Sequence, residues 1–539
     1  MTDPQYRVLV TDEVDAEGVA LLRNHPSIEV VERPTRPIEE LLEEIDQYDA
    51  MIGRSATRIS ADVLDQGTRL RVIGRAGVGV DNVDVERATE LGIAVINAPG
   101  GNTVSVAEIV FGVLISHLRH IPAAASSMKA GEWRRLQLGG AELRGRTIVI
   151  AGLGRIGSEI ARRGRVFGLK VLGYDPYVSD SRFEELGVER VVDFQTALDL
   201  ADILTLHVPL TSETRGMVGA NELARLGPRA IVLNFARGGI VDEAALVEAL
   251  QQGRIAAAMV DVFAKEPLAK DHPLRNLPNV LLTPHLGAST AEAQRNVALE
   301  ACAAVRDALV TGDLSAAMNA AGVGGAALGE IRPLLQLAER LGRLGRALLP
   351  TGLSAMELRY SGPRPTAARP LLLSALQGAM QNVVERRAIN LVNAQHVAAE
   401  RGIETAWTHV SPSHELGEEI ELRIEGGARS LRIGGALLGE SHGRITRIGA
   451  FRVDIAPRGT LLVMRNRDVP GVIGRVGTLL GELGVNIAEY HQARLQAGGE
   501  ALAAVQIDGS LAAEQMEMLC ALPELLDAKQ VEMGWDYRP

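Results

Sequence analysis

Two cysteines in 539 residues, Cys302 and Cys520, rule out a disulfide framework and a cysteine-rich metal centre. Neither has a nucleophile signature around it, so both read as small buried hydrophobes. Positive charge is also short: 56 Lys and Arg face 67 Asp and Glu, a formal net charge of -11. That balance argues against a general nucleic-acid binder, though not against a local basic pocket. The segment Met1–Tyr6 is polar and lacks the basic stretch and apolar run of a secretory signal. No apolar run approaches membrane-spanning length. The expectations are a cytoplasmic protein with no membrane, nucleic-acid or metal partner. What remains is ordinary for a globular protein, 46% hydrophobic and 23% charged residues. The length exceeds what one hydrophobic core can organise, so three or four domains are expected.

Along residues 7–98, short β-branched runs (RVLVTD, IEVVER, DAMIGR, RVIGRAG, GIAVINAP) alternate with helical segments, one of them around Glu13–His25. Such alternation implies a parallel sheet covered by helices. The stretch Ser105–Leu118 is apolar nearly all round and should be a buried helix. A second strand–helix series runs from Arg146 to about His285, through TIVIAG, KVLGYDP, ADILTLHVP, AIVLNFA, AAAMVDVF and NVLLTP. A helix over Thr290–Thr311 follows, and the Gly/Ala-rich stretch 319–329 reads as a boundary. The last eighty residues pattern as a small βαββα unit with a terminal strand.

The sharpest motif is GLGRIG, Gly152–Gly157. Glycine clusters alone are weak evidence, but this one follows the strand TIVIA and opens a helix, the context a dinucleotide site requires. Gly152 permits the tight turn, Gly154 lets backbone approach a pyrophosphate, and Gly157 allows close helix packing. Asp175 ends the next strand at about the 20-residue spacing of a ribose-binding acid, which favours NAD over NADP. A lone strand-ending Asp is more often a turn residue; here the fingerprint outweighs that.

A second constellation, NFARGGIVDE, VDVFAKEP and LTPHLGAST, sets Arg237, Asp261, Glu266 and His285 at successive strand ends, where ligands of open α/β sheets bind. Oxidising a hydroxy acid needs a base near neutral pH, which His285 supplies. Glu266 would hold the imidazole. Arg237 offers a planar fork for a carboxylate. Singly these are an ion pair, a cap or a turn; in this order, after the fingerprint, they read as a site.

On these blocks the chain resembles the D-isomer-specific 2-hydroxyacid dehydrogenases over roughly residues 7–315. The resemblance implies an α/β fold in which a Rossmann-type doubly wound NAD domain is inserted into a flavodoxin-like substrate domain. It assigns 1–98, completed by 286–318, to the substrate domain and 99–285 to the NAD domain. It makes Arg237, Glu266 and His285 the catalytic set, and Asp261 a residue of the cofactor site. Further NAD contacts are implied near Val78, Arg155, Ile156 and Val208. Phe235 departs from the small residue or Cys usual beside the nicotinamide, and predicts a local packing change.

The blocks MIGRSATRIS and VIGRAGVGVDNVD resemble the substrate domain of family members that act on 3-phosphoglycerate. Arg54 and Arg75 end neighbouring strands, and two guanidinium groups suit a phosphate plus a carboxylate. A single Arg is more often a solvated surface charge. Ser55 adds a hydroxyl, and Asn102 is expected at the mouth of the cleft. Arg134 and Arg135, in GEWRR, are implied by the resemblance to reach the substrate of a neighbouring subunit. Residues 319–457 resemble the α+β intervening domain of long-form members, with Arg447 and Arg452 as candidate anion holders. Residues 458–539, through RNRDVPGVIGRVGTLLGELGVNIAEY, resemble the βαββαβ ACT domain, a paired amino-acid-sensing module. That resemblance implies L-serine as effector, held at a seam by Asn466, Asp468 and Asn486, in a homo-oligomer expected to be a tetramer. Two rival readings are a glyoxylate/hydroxypyruvate reductase and an NAD-sensing corepressor scaffold. The extra C-terminal domains count against both.

Overall fold

The β-branched runs of the first hundred residues lie side by side in a parallel sheet. Its spatial order is Ile28–Glu32, Tyr6–Val10, Ala50–Gly53, Val72–Arg75 and Ala94–Asn97. This computed structural model describes residues 4–35, 37–320, 326–349, 352–381, 389–411, 417–439 and 441–534. On one face of the sheet Val8, Val10 and Ile52 pack against Cys302, Val305 and Leu309 of the helix Ala291–Val310. On the other, Leu9, Met51 and Ile73 meet Leu41 and Val63. A helix from beyond residue 290 thus closes a sheet built before residue 100. Gly18 lets the helix Ala16–Arg23 cross it, because a Cβ there would stand 2.6 Å from the Ala298 backbone. The helix expected over Glu13–His25 begins only at Ala16. Asp15 caps it by accepting the Glu17 N–H, which releases the preceding residues to the cleft.

The second sheet has seven parallel strands. Their order is Val280–Leu282, Ala257–Val260, Ile231–Asn234, Ile203–Leu206, Thr147–Ala151, Lys170–Tyr174 and Glu189–Arg190. The chain starts in the middle at Thr147–Ala151 and winds outward on both sides, so a crevice opens where the order reverses. The helix Thr103–Leu118 is buried against this sheet through Val106, Val110 and Leu114. Phe235 packs in the same cluster, 5% exposed.

The third sheet is mixed, in the order Glu404–Val410, Ala355–Ser361, Glu419–Gly426, Arg429–Leu438, His442–Ile448, Phe451–Ile455. Only its first pair is parallel. The fourth is antiparallel: Ile487–Arg494, Glu500–Ile507, Gly459–Arg467, Leu525–Gly534. The helices Val472–Glu482 and Ala513–Cys520 cover one of its faces. On the other face Leu461, Val463, Leu502, Ala504, Val531 and Met533 belong to one buried cluster with Leu334, Leu341, Ile424 and Ile433 of the third unit. The two C-terminal sheets therefore share a core. Arg444 adds a polar tie, pairing with Asp454 on its own sheet and Glu489 on the next.

The C-terminal body also plugs into the first sheet. Val392 is buried in the cluster of Val8 and Ile28, and the Asn390 amide donates to the Gly92 carbonyl at 2.8 Å. Gly92 has φ 71°, and a Cβ on it would meet Asn390 and Asn393 within 2.8 Å. Cys302 is buried as expected, but Cys520 is exposed, because the terminal helix presents that position to solvent. Part of the Gly/Ala-rich stretch, residues 321–325, lies outside the described residues. Among the described residues no single helix is long and apolar enough to cross a membrane, and no cluster of His, Cys, Asp and Glu could hold a metal.

Candidate active site

The turn after Val280–Leu282 carries His285 in a left-handed conformation, φ 54°. Such a backbone needs support, and Asp261 supplies it. This 1%-exposed carboxylate accepts the N–H groups of Leu286 (2.7 Å) and Gly287 (2.8 Å) and the Thr283 hydroxyl (2.6 Å). Read from sequence as a cofactor contact, Asp261 has both oxygens engaged by the turn, so in this structure it serves the residue that follows.

His285 Nδ1 lies 2.8 Å from Glu266 Oε2, while Glu266 Oε1 accepts the Phe263 N–H at 2.9 Å. A carboxylate on Nδ1 keeps the proton there and leaves Nε2 as an acceptor facing outward. The His285 side chain is 52% exposed, so a substrate can reach it.

Arg237 follows the strand Ile231–Asn234, in a turn tied by the Asn234 amide to the Arg237 carbonyl at 3.0 Å. Its Nε lies 3.3 Å from Asp81 of the first domain, and Gly79 lies directly beneath, where a Cβ would be 2.4 Å from Nη2. Gly238 abuts the Phe263 carbonyl, next to the segment bearing Glu266. Arg237 therefore bridges the cleft between the two parallel sheets.

Arg75 ends the strand Val72–Arg75 and lies over Gly77, where a Cβ would be 1.3 Å from Nη1. Its Nη1 donates to the Ala76 carbonyl at 3.1 Å, and its buried Nε has no partner among the described residues. Burial, then the neighbouring Arg54 and Arg237 charges, push Arg75 down to about 10. Three guanidinium groups crowded together repel one another, and an anion among them relieves that repulsion. Arg54 Nη1 donates to the Glu13 carbonyl at 3.2 Å, and Ser55 stands exposed beside it. Asn102 stands at the N-cap position of the helix Thr103–Leu118 without a side-chain capping bond, and its buried Oδ1 has no partner among the described residues. Ser105, one turn on, donates to the Gly287 carbonyl at 2.8 Å, which ties that helix to the His285 turn. Arg134 and Arg135 are not brought in: they sit on an exposed loop, Arg134 paired with Glu132 at 3.6 Å.

The dinucleotide motif has the shape its chemistry needs. Gly152 has φ 93°, and a Cβ on it would press to 2.6 Å from the His207 carbonyl and 3.0 Å from Val208. A Cβ on Gly157 would come within 2.0 Å of the Gly152 carbonyl, whereas one on Gly154 would project into open space. That open side is where a pyrophosphate fits, against the N-terminus of the helix Arg155–Val166. Arg155 is exposed at the first helical position, with Ile156 half-buried behind it. Asp175 accepts the Leu153 N–H at 2.8 Å and the Tyr177 N–H at 3.0 Å, so it braces the glycine turn. His207, 2.7 Å from the Thr205 hydroxyl, is half-buried, and desolvation pushes it down to about 3, so it stays neutral. The residues present fit a dinucleotide.

Sequence reading missed Asp12 and Asp81. Asp81 was visible in VGVDNVD, an acid inside the most recognisable block. Asp12 had the signal of Asp175, an acid just past a β-branched strand.

The three effector candidates do not meet within one chain. Asn466 lies inside the strand Gly459–Arg467 beside a register shift, 1% exposed, its amide donating to the Arg467 carbonyl at 2.8 Å. Asp468 accepts the Gly498 N–H at 3.1 Å and pairs with Arg494 at 3.3 Å. Asn486 bonds Asp508 at 2.8 Å, at the far end of the ladder that pairs Thr460 with Ile507 and Arg467 with Glu500. That separation is roughly 20 Å at 3.4 Å per residue.

Known proteins resemble this chain over nearly its whole length. Residues 111–287 match the family model described as D-isomer specific 2-hydroxyacid dehydrogenase, NAD binding domain. Residues 330–449 match the D-3-phosphoglycerate dehydrogenase intervening domain. The chain is 38% identical over 528 residues to the D-3-phosphoglycerate dehydrogenase of Methanocaldococcus jannaschii, covering 98% of this chain and 100% of that one. It is 37% identical over 530 residues to the enzyme of that name from Bacillus subtilis, again covering 98% and 100%. A glyoxylate reductase from Paecilomyes thermophila matches with TM-score 0.53 and 30% identity over 58% of this chain and 97% of its own. An NADPH-dependent glyoxylate/hydroxypyruvate reductase from Sinorhizobium meliloti matches with TM-score 0.52 and 31% identity, covering 57% of this chain and 96% of its own. The cofactor of the matched domain is NAD.

Proposed function

The chain belongs to the D-3-phosphoglycerate dehydrogenases, within the D-isomer-specific 2-hydroxyacid dehydrogenase family, and on that premise we propose that it oxidises 3-phospho-D-glycerate to 3-phosphohydroxypyruvate. Bound NAD supplies the hydride acceptor. His285 Nε2 takes the C2 hydroxyl proton, and Glu266 stabilises the imidazolium that results. Arg237 fixes the substrate carboxylate, and Arg54 and Arg75 take the phosphate, with Ser55 and Asn102 at the rim. Gly152, Gly154, Arg155 and Gly157 hold the pyrophosphate, Ile156 and Val208 line the cofactor's path, and Asp175 takes the ribose. Convergence of Arg54, Arg75 and Arg237 in the cleft, with Arg237 and the His285–Glu266 pair after neighbouring strands of one sheet, is the observation that carries this reading. A steady-state assay with NAD and 3-phosphoglycerate beside D-glycerate and D-lactate tests it. Comparable kcat/KM for all three would refute the phosphate assignment.

The reading extends to regulation and assembly. L-serine inhibits at a seam between two ACT units, with Asn466 and Asp468 from one copy and Asn486 from the other. A 20 Å separation within one chain demands that exchange, and Asp468 offers the charge an ammonium needs. Calorimetric titration of serine into wild type and Asp468→Ala, with turnover in parallel, is the check. Wild type showing neither binding nor inhibition at millimolar serine would sink it. A homo-oligomer, a tetramer in this reading, would also cover Trp133 and Leu136, 77% and 94% exposed beside Arg134 and Arg135. The enzyme is placed in the cytoplasm with its substrate.

A further inference from the structure

Asp12 follows the first strand, Tyr6–Val10, in a left-handed conformation with φ 60°. Aspartate adopts that region more readily than most side chains, but something must hold it there. Four donors converge on its carboxylate. Oδ2 accepts the backbone N–H groups of Arg54 (2.7 Å) and Thr57 (3.2 Å). Oδ1 accepts the hydroxyls of Thr57 and Thr35, both at 2.6 Å. Burial works against its charge, yet the threonine hydroxyls and the two N–H groups leave its pKa lowered. From the other side the Asn82 amide donates to the carbonyls of Arg54 (2.8 Å) and Thr57 (2.6 Å). The guanidinium of Arg54 then bonds the carbonyl of Glu13, the residue directly after Asp12. One aspartate thus fixes the Arg54 backbone and, through its neighbour, the Arg54 head group.

We propose that Asp12 is a positioning residue for substrate phosphate, holding the loop Arg54–Thr57 in the shape that presents Arg54 to the anion. The proposal rests on the phosphate role given to Arg54 above. The left-handed backbone fits it, because that conformation aims the carboxylate at the loop Arg54–Thr57.

The test compares Asp12→Gly, Asp12→Asn, Thr57→Val and Arg54→Ala by steady-state kinetics, with NAD binding measured separately by fluorescence. Glycine tolerates the backbone and removes the acceptors, so Asp12→Gly raises KM for 3-phosphoglycerate about tenfold. Its kcat changes much less, and NAD affinity does not move. Asp12→Asn recovers most of the loss, because its oxygen still takes two N–H groups while its amide donates to the threonine hydroxyls. Thr57→Val, missing one hydroxyl donor, raises KM about threefold and carries the test should Asp12→Gly fail to fold. A normal KM in Arg54→Ala overturns the phosphate reading and this proposal together. A raised KM in Arg54→Ala beside normal values in Asp12→Gly and Thr57→Val overturns this proposal alone. So does a fall in kcat as large as the KM effect, a loss of NAD affinity, or an Asp12→Asn variant as impaired as Asp12→Gly.

Discussion

The two halves of this chain solve opposite problems. In the first three hundred residues the two parallel sheets keep separate cores, and the pairing of Arg237 with Asp81 across the cleft is polar. In the last two hundred, one apolar cluster runs from the helix Ala326–Leu348 through both sheets to the strand Leu525–Gly534. Chemistry needs a gap that substrate can enter, and charged residues can line a gap where apolar ones would close it. A shared apolar core has no such gap, so the C-terminal units respond together to anything that disturbs either.

The sharpest test of that contrast is at the cleft. His285→Ala should lower kcat/KM by about 10²–10⁴-fold while NAD affinity, followed by fluorescence titration, stays near wild type. Near-normal turnover would remove His285 from the mechanism and leave the cleft without a base. Next comes the shared core. Leu461→Ala, at a fully buried position, should cost the C-terminal body about 2–5 kcal/mol. Hydrogen exchange should rise both in its own sheet and in the strand Ala355–Ser361, with the catalytic half unchanged. Exchange confined to residues 459–534 would show two independent units and break the comparison. The smallest effect expected is at Asp175. Asp175→Ala should weaken NAD by roughly tenfold and shift the NADP/NAD ratio of kcat/KM toward NADP, since a ribose acceptor, a repelling charge and a brace on the glycine turn are lost together. An unmoved ratio would leave Asp175 as a turn residue.

What could be read in advance was local. The glycine fingerprint is legible because Gly152 and Gly157 each answer to a backbone contact a few residues or one strand away. The His285–Glu266 pair was legible because both residues follow adjacent strands of a regular parallel sheet. What escaped depends on distant partners. Asp12 carries the strand-end signal that Asp175 has, but its partners Arg54 and Thr57 lie forty residues on, so the local sequence does not say what it holds. The burial of Asn466 was not legible, because a register shift at a strand end leaves no mark in the residue order. The shared C-terminal core was hidden too. The continuous apolar run Leu461–Met464 shows that both faces of the strand are covered, but it does not show that the cover on one face comes from the neighbouring unit.

The plug formed by Asn390 and Val392 decides where a load on the C-terminal body arrives. Val392 is embedded under the first sheet, and Asn390 grips Gly92, just before the strand Ala94–Asn97. That strand pairs directly with Val72–Arg75, whose last residue is one of the three cleft arginines. A twist of the C-terminal body is therefore a torque on one jaw, delivered one strand away from the arginines proposed to hold phosphate, while the glycine turn and the His285 turn sit on the other. Such a lever would change how tightly the jaws grip substrate before it altered either the base or the nucleotide platform.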